Sequence, residues 1–175
     1  TDTLDRLETV IGGQGNDTIT GDASNNRLVG NAGNDSLTGG AGDDTLAGEA
    51  GNDVLNGGDG IDVIDFSAIG AENISFTVTD ATLTTTAFGT DTLTSIEGIF
   101  GGAGNDSLTG DGNTNRMNGG AGNDTISTAG GNDTIIGSTG NDSLDAGDGS
   151  DTIDYSTITD GGVTVDLNAG TATVT

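Results

Sequence analysis

Apolar residues recur every nine positions in two stretches of the chain, residues 12–65 and 101–154. Each stretch reads as six nonapeptides with a Gly-rich front, an Asp or Asn at the sixth place and an apolar residue at the eighth, as in GNAGNDSLT from Gly30. Because side chains alternate between the two faces of a strand, the last three residues of each nonapeptide are predicted to form a short strand that buries the eighth-place side chain. The predicted inward-facing residues are Ile19, Leu28, Leu37, Leu46, Leu55, Ile64, Leu108, Met117, Ile126, Ile135, Leu144 and Ile153.

The glycines explain how such short strands could be connected. Gly at the first and fourth places permits positive φ and tight turns, and the neighbouring Asn-Asp pairs also favour turns. Two nonapeptides, with one turn and strand on each side, would close a coil of about 18 residues, and a repeat this short is typical of a solenoid. The predicted fold is therefore all-β: a parallel β-roll or β-helix solenoid with Gly-rich turns, whose stacked coils form two parallel sheets over a thin aliphatic core.

The chain also repeats on a larger scale. The string TDTLDRLETVI at 1–11 returns as TDTLTSIEGIF at 90–100, 89 positions later, and the two nonapeptide stretches share this offset. The sequence therefore predicts two tandem modules, residues 1–89 and 90–175. Each module is expected to contain a nonapeptide β-roll, at 12–65 or 101–154, and then a β segment, at 66–89 or 155–175.

The two β segments break the nine-residue rhythm. Apolar residues alternate with polar ones at 74–78 and again at 163–167, which is a strand signal that a linker would lack. We therefore expect wider, ion-poor coils that continue the solenoid. Phe66 and Tyr155, which occupy equivalent positions, are expected to cover the end of each nonapeptide block.

Composition changes this picture because it requires a counterion. The 175 residues include 34 Gly, 28 acidic and 3 basic residues, no Cys and no His, for a net charge of −25. Such charge with only 30% apolar residues normally prevents collapse, whereas the strict periodicity indicates an ordered fold. The charge argues against nucleic acid as a partner, and the lack of a long apolar run argues against direct membrane insertion. Carboxylates and backbone carbonyls are the abundant ligands, and they suit hard cations such as calcium.

The spacing of the repeats predicts where carboxylates would meet. Since a coil holds two nonapeptides, alternate repeats lie on the same edge of the solenoid, about 4.8 Å apart. At that spacing two carboxylates repel by roughly 3 kcal/mol at an effective dielectric constant of 20. A divalent cation between successive turns would replace this repulsion with a net attraction. The rows predicted in this way are Asp17, Asp35 and Asp53; Asn26, Asp44 and Asp62; Asp106, Asp124 and Asp142; and Asn115, Asp133 and Asp151.

Nonapeptides such as GGAGNDSLT from Gly101 and GGAGNDTIS from Gly119 resemble the G-G-x-G-x-D-x-U-x motif of the repeats-in-toxin, or hemolysin-type, family. The resemblance covers 12–65 and 101–154, and it implies a calcium-bound parallel β-roll. It assigns metal binding to Asp17, Asp35, Asp44, Asp53, Asp62, Asp106, Asp124, Asp133, Asp142 and Asp151. The backbone candidates are Gly15, Gly33, Gly42, Gly51, Gly60, Gly104, Gly122, Gly131, Gly140 and Gly149. About six or more calcium ions are expected, with sites weakened at the Asn26 and Asn115 repeats.

The resemblance favours a calcium-dependent structural repeat of a secreted bacterial adhesin, surface-layer or extracellular fibre protein, exported by type I secretion and folding outside the cell. The expected partners are calcium, neighbouring modules of a longer array and, by self-association, further copies in fibres. Nothing in the sequence indicates a catalytic site, so no enzymatic activity is expected.

Two other functions are compatible with the same repeats. One is the calcium-binding secretion tail of a secreted protease, lipase or epimerase. The other is an ice-binding β-roll, which is disfavoured because the turn positions that would carry a Thr ladder hold Gln14, Ala23, Ala32 and Ala41 in the first block.

Overall fold

The computed structural model describes residues 7–158, 163–166 and 171–174. These residues form strands and turns, with no helix among them, so the all-β prediction is confirmed. The strands in chain order are β1 (Thr9–Ile11), β2 (Thr18–Thr20), β3 (Arg27–Ala32), β4 (Ser36–Ala41), β5 (Thr45–Ala50), β6 (Val54–Asp59), β7 (Val63–Asp65), β8 (Ser75–Thr77), β9 (Thr82–Thr85), β10 (Gly89–Thr94), β11 (Gly98–Phe100), β12 (Ser107–Thr109), β13 (Arg116–Asn118), β14 (Thr125–Ser127), β15 (Gly130–Gly131), β16 (Thr134–Ile136), β17 (Ser143–Asp145), β18 (Asp148–Gly149), β19 (Thr152–Asp154), β20 (Val163–Asp166) and β21 (Thr171–Val174).

The strands stack into the two faces of a parallel β-solenoid. One face is a continuous eight-stranded sheet in the order β1-β3-β5-β7-β11-β13-β16-β19, which runs through both nonapeptide blocks. The other face consists of a five-stranded sheet, β2-β4-β6-β10-β9, and a four-stranded sheet, β17-β14-β12-β8. Within the part of the chain that the structure describes, no helix is long and apolar enough to cross a membrane.

The strand register confirms a coil of two nonapeptides. Leu28 on β3 pairs with Leu46 on β5, and Leu37 on β4 pairs with Leu55 on β6, each 18 positions further along the chain. All four side chains are fully buried, and burying one leucine contributes about 1.5–3 kcal/mol. Most other eighth-place residues join the same core; Ile153 on β19 is the parallel register partner of the fully buried Ile135, but it is 42% exposed.

Residues 66–100 join the two blocks through strands that pair over longer separations. Strand β10 lies beside β6, strand β8 lies beside β12, and β11 lies between β7 and β13. Strand β9 is antiparallel to β10. Phe66, Phe76 and Ile96 are buried here, and the rings of Phe66 and Phe88 lie 5.6 Å apart. The solenoid core therefore continues through the segment between the blocks.

The division into modules at residue 89 stays a prediction. Strand β10 spans that position while it pairs with β6. In the second predicted β segment, β20 and β21 form an antiparallel pair, and the Tyr155 ring lies against Gly137. Residues 159–162, 167–170 and 175 of that segment lie outside the described residues, as do residues 1–6 of the first repeated string.

Candidate metal centre

The sixth-place side chains of the first block lie in two rows that are tied together by the backbone. Along the first row, the Asp17 N–H donates to Oδ1 of Asp35 at 2.8 Å, and the Asp35 N–H donates to Oδ1 of Asp53 at 2.8 Å. Along the second row, the Asn26 N–H donates to Asp44 at 2.7 Å, and Asp44 donates in the same way to Asp62 at 2.8 Å. Asp35, Asp44, Asp53 and Asp62 thus each use one oxygen to connect successive coils, whereas the Asp17 carboxylate accepts the Gly13 N–H within its own turn.

The second block repeats this arrangement. The Asp106 N–H donates to Oδ1 of Asp124 at 2.8 Å, and the Asp124 N–H donates to Asp142 at 3.0 Å. The other row connects Asn115, Asp133 and Asp151 through bonds of 2.8 and 2.9 Å. The structure therefore brings the ten aspartates of the sequence analysis into the predicted rows, and their role as ligands stays a prediction.

The second carboxylate oxygen of many aspartates is buried without a hydrogen bond. The eight aspartates with this feature among the described residues, which are named at the end of this paragraph, are each at most 2% exposed. A buried acceptor that lacks a partner costs about 1–3 kcal/mol, and more when it is charged. Among the described residues, this buried, unpartnered Oδ2 occurs at Asp35, Asp44, Asp53, Asp62, Asp91, Asp106, Asp124 and Asp133.

The unpartnered oxygens face backbone carbonyls across a space that only glycine leaves open. A Cβ built on Gly30 would overlap Oδ2 of Asp35 and would lie 2.9 Å from the carbonyl oxygen of Gly48. Likewise, a Cβ on Gly39 would overlap Oδ2 of Asp44 and lie 2.6 Å from the Gly57 carbonyl oxygen. Carboxylate and carbonyl oxygens are the ligands that calcium prefers, so this cradle fits the predicted ion.

The first-place glycines were not nominated as ligands from the sequence, although their small size beside an aspartate was a usable signal. The fourth-place glycines, which the sequence analysis predicts as carbonyl ligands, form the stacked turns. Gly33 and Gly51 have φ values of 131° and 156°, and a Cβ on Gly51 would overlap the Gly33 carbonyl oxygen of the preceding coil. Their contribution of carbonyl ligands stays a prediction.

Two forms of the turn account for most of the satisfied and unsatisfied side chains, with Asp106 as an exception, since its second-place residue Gly102 does not have a positive φ. In the first form, the second-place N–H donates to the sixth-place side chain, as from Gly13 to Asp17 at 2.7 Å and from Asp22 to Asn26 at 2.8 Å. In the second form, the second-place residue has a left-handed φ, and within the described structure its N–H is not donated to the aspartate Oδ2. The second-place residues of this form include Asn31, Gly40, Glu49, Gly58, Gly120 and Ala129.

Burial makes the charged form of these carboxylates unfavourable in the protein alone. It raises the pKa of Asp62 and of Asp124 to about 6, against the opposing effect of the hydrogen bonds that they accept from backbone N–H groups. Burial also raises the pKa of Asp44, Asp53 and Asp106. A bound cation would hold the same groups in the ionised form, so protons and calcium are expected to compete for them.

Two carboxylates outside the nonapeptides extend the rows, and the sequence analysis missed both. The Asp53 N–H donates to Oδ1 of Asp91 at 3.0 Å, and the Asp62 N–H donates to Oε2 of Glu97 at 3.0 Å. A signal for Asp91 was present, because Gly89-Thr90-Asp91 matches the fourth to sixth places of a nonapeptide. Burial raises the pKa of Asp91 to about 7 and raises the pKa of Glu97.

The donor set of any one site must combine side chains with backbone. Across the described residues, no group of three or more His, Cys, Asp or Glu side chains is arranged to hold a metal ion. Calcium needs six to eight oxygen ligands, so carbonyl groups of the turns would supply the remainder. This mixed donor set agrees with the cradles at Gly30 and Gly39.

A parallel solenoid with Gly-rich turns and stacked, buried carboxylates defines a cation-binding β-roll repeat protein. The family model of the RTX calcium-binding nonapeptide repeat matches the chain in four copies, at residues 3–37, 29–64, 99–126 and 127–156. The chain belongs to this family and is a calcium-binding structural repeat. No curated protein matches the chain.

Proposed function

We propose that this chain is a structural repeat of a secreted bacterial adhesin, surface-layer or extracellular fibre protein that folds and stiffens on calcium after export. The observation that supports this proposal most directly is the set of buried, unpartnered aspartate oxygens in both nonapeptide blocks. Without a cation, protonation would remove the buried charge but would supply no partner for these oxygens, whereas calcium would bind them as carboxylates. Calcium therefore becomes the condition for folding.

The charge of the chain explains why folding would wait for export. With a net charge of −25, the calcium-free chain repels itself, and it has few apolar residues to oppose this repulsion. Extracellular calcium sites have dissociation constants of about 10⁻⁴–10⁻³ M. Sites of this affinity would stay empty at the calcium concentration of the cytosol. Each site adds about 1.4 kcal/mol when calcium reaches ten times its dissociation constant, so about six sites add roughly 8 kcal/mol. That is comparable to the whole stability of a typical domain, about 5–15 kcal/mol.

The continuity of the eight-stranded sheet supports a role as an extended spacer. The two nonapeptide blocks share this sheet through β7 and β11, whose residues Val63 and Gly98 are register partners. Parallel strands that stack along one axis allow a repeat protein to grow by adding coils. The proposed partners besides calcium are therefore neighbouring modules of the same kind, stacked along this axis, and further copies in a fibre.

Far-UV circular dichroism during a calcium titration tests the folding step, with magnesium as the control. We expect a cooperative transition from coil to β-structure near millimolar calcium, and no equivalent transition with magnesium, because magnesium demands stricter octahedral geometry and loses its water reluctantly. A chain that is already fully β-structured in chelator at neutral pH would show that the buried carboxylates do not control folding. The proposal would then be wrong.

A further inference from the structure

Asp91 lies on the first carboxylate row although it is outside the two nonapeptide blocks. Strand β10 pairs in parallel with β6, with Thr92 opposite Val54, so Asp91 occupies the position one coil beyond Asp53. The turn before it also continues the stack, because Gly89 has a φ of 105° and a Cβ there would overlap the Gly51 carbonyl oxygen. The backbone therefore repeats the geometry of a nonapeptide turn at the junction between the blocks.

The carboxylate of Asp91 has the same unsatisfied oxygen as the repeat aspartates. Its Oδ1 accepts the Asp53 N–H at 3.0 Å, whereas its Oδ2 is buried and has no hydrogen-bond partner in the described structure. Asp53 likewise has an unpartnered Oδ2, and both residues are 1% exposed. Two successive carboxylates at this junction thus each present a buried oxygen that the protein leaves unpaired.

Glu72 accepts the backbone N–H that would otherwise be placed to donate to Asp91. In the turns of the first form, the N–H four residues before the aspartate donates to it, and the equivalent group here is the N–H of Ala87. That N–H donates instead to Oε2 of Glu72 at 3.1 Å. Glu72 also accepts the Thr86 N–H at 2.6 Å and the Thr86 hydroxyl at 2.7 Å. The turn before Asp91 therefore leaves Oδ2 free by a different route from the repeats, because Ala87 does not have the left-handed φ of the second form and its N–H is held by Glu72.

We propose that Asp53 and Asp91 hold a calcium ion between β6 and β10, at a site that connects the first nonapeptide block to the segment between the blocks. The inference rests on the proposed function, since it assumes that the carboxylate rows bind calcium. The two side chains would supply the carboxylate oxygens, and carbonyl groups of the two adjacent turns would supply neutral ones. An ion at this position would fix strand β10, and with it the segment that joins the two blocks, to the first block.

The alternative to calcium binding is that the Asp91 carboxylate is protonated. The substitution Asp91→Asn distinguishes these two possibilities. Asparagine keeps the size and the Oδ1 acceptor for the Asp53 N–H, and it resembles a protonated aspartate, but it is a poorer calcium ligand. Asp80→Asn is the matched control, because Asp80 lies in the same segment, is exposed and accepts only the Thr77 N–H, at 2.8 Å, among its described contacts. Both variants change the net charge equally.

Native mass spectrometry of the full chain at saturating calcium, supported by isothermal titration calorimetry, counts the bound ions. We expect Asp91→Asn to bind one ion fewer than the wild type and Asp80→Asn to bind the wild-type number. An unchanged count in Asp91→Asn would overturn the junction site. The variant Asp35→Asn tests calcium binding by the repeats separately from the junction site. It should lose calcium within the repeats whether or not the junction site exists. A wild type that binds no calcium would instead refute the proposed function.

A measurement on the wild type covers the case in which Asp91→Asn does not fold. Carboxyl ¹³C NMR follows Asp91 directly, because a carboxylate and a carboxylic acid differ in chemical shift. With calcium bound, we expect the Asp91 signal to stay in the ionised range between pH 8 and about 5.5, since the ion holds it charged. A signal that titrates through this range in saturating calcium would identify a proton as the occupant and contradict the proposal.

Discussion

Replacing Gly48 with alanine should fill the cation cradle of Asp53 without removing a ligand. A Cβ on Gly48 would overlap Oδ2 of Asp53 and lie 2.8 Å from its carboxyl carbon. Gly48 does not have a positive φ, so alanine introduces no backbone strain and the effect comes from the occupied space. Because Asp53 is 1% exposed and its N–H is bound to Asp91, its carboxylate has little room to move away.

Two terms set the size of this effect. Adding a methyl group to a tightly packed interior costs about 1–3 kcal/mol. Losing one calcium site removes about 1.4 kcal/mol at ten times the dissociation constant. The free energy of unfolding in saturating calcium should therefore fall by about 2.4–4.4 kcal/mol, the sum of these two terms.

Urea denaturation in saturating calcium, followed by circular dichroism, measures the loss, and native mass spectrometry counts the ions. Gly112→Ala is the control, because it is not among the predicted ligands, no described atom other than those of its chain neighbours lies within 4 Å of a Cβ there, and its φ is not positive. Its carbonyl group is also retained, so its free energy of unfolding should change by less than about 0.5 kcal/mol. If Gly48→Ala kept the wild-type stability and ion number, the cation could not lie in the cradle between Gly48 and Asp53. A loss of stability without the loss of an ion would also show that calcium does not bind in the cradle between Gly48 and Asp53.

Three further predictions concern the carboxylates and the core. Asp35→Asn should raise the calcium concentration at the folding midpoint yet increase the β-structure measured in chelator, because it removes a ligand and also a buried charge; a circular dichroism signal in chelator no higher than that of the wild type would contradict this. The pKa of Asp62 and of Asp124 is raised to about 6 in the folded protein from a usual value of 3.8, so their contribution to calcium-free stability is full below about pH 4 and is lost as the pH rises through about 6. Acidification in chelator should therefore promote β-structure, and the calcium midpoint should rise as the pH falls towards 5; a midpoint independent of pH would refute the competition. Leu46→Ala should lower the free energy of unfolding by about 2–5 kcal/mol in calcium, whereas Ile153→Ala, at a position 42% exposed, should cost less than half as much in the same urea assay.

The regular part of the fold could be predicted because its information is local. A nine-residue period places a turn, a sixth-place carboxylate and one inward side chain in every repeat, and the register follows from stacking identical units. Leu37 and Leu55 show this, since both are predicted inward and both are fully buried as partners. The same logic placed Asp35 and Asp53 on one row without knowledge of any contact.

The junction could not be predicted because its pairings depend on the whole chain. Register partners are 18 positions apart within a block, whereas Val54 and Thr92 are 38 apart and Ser75 and Ser107 are 32 apart. No periodic signal specifies such separations. The left-handed residues Asn31 and Glu49, with φ of 75° and 66°, were equally hidden, since side chains other than glycine rarely adopt this conformation. These two residues lie in turns that leave the Oδ2 of Asp35 and of Asp53 unpaired.

The two rows cross the junction in different ways, and this difference limits how charge accumulates along the solenoid. On the first row, the carboxylates of the first block continue to Asp91. In the second block, the position before Asp106 on the row is taken by the apolar Ile74 of the joining segment, whose N–H donates to Oδ1 of Asp106 at 2.8 Å. On the second row, Glu97 follows Asp62, and the next position is the amide of Asn115, whose Nδ2 donates to the Glu97 carbonyl oxygen at 3.2 Å. An uninterrupted row would place a like charge on both sides of every carboxylate, each pair repelling by roughly 3 kcal/mol before calcium binds. The neutral positions divide the rows into short groups, so that each group can be neutralised by its own ions while the aliphatic core continues unbroken beneath it.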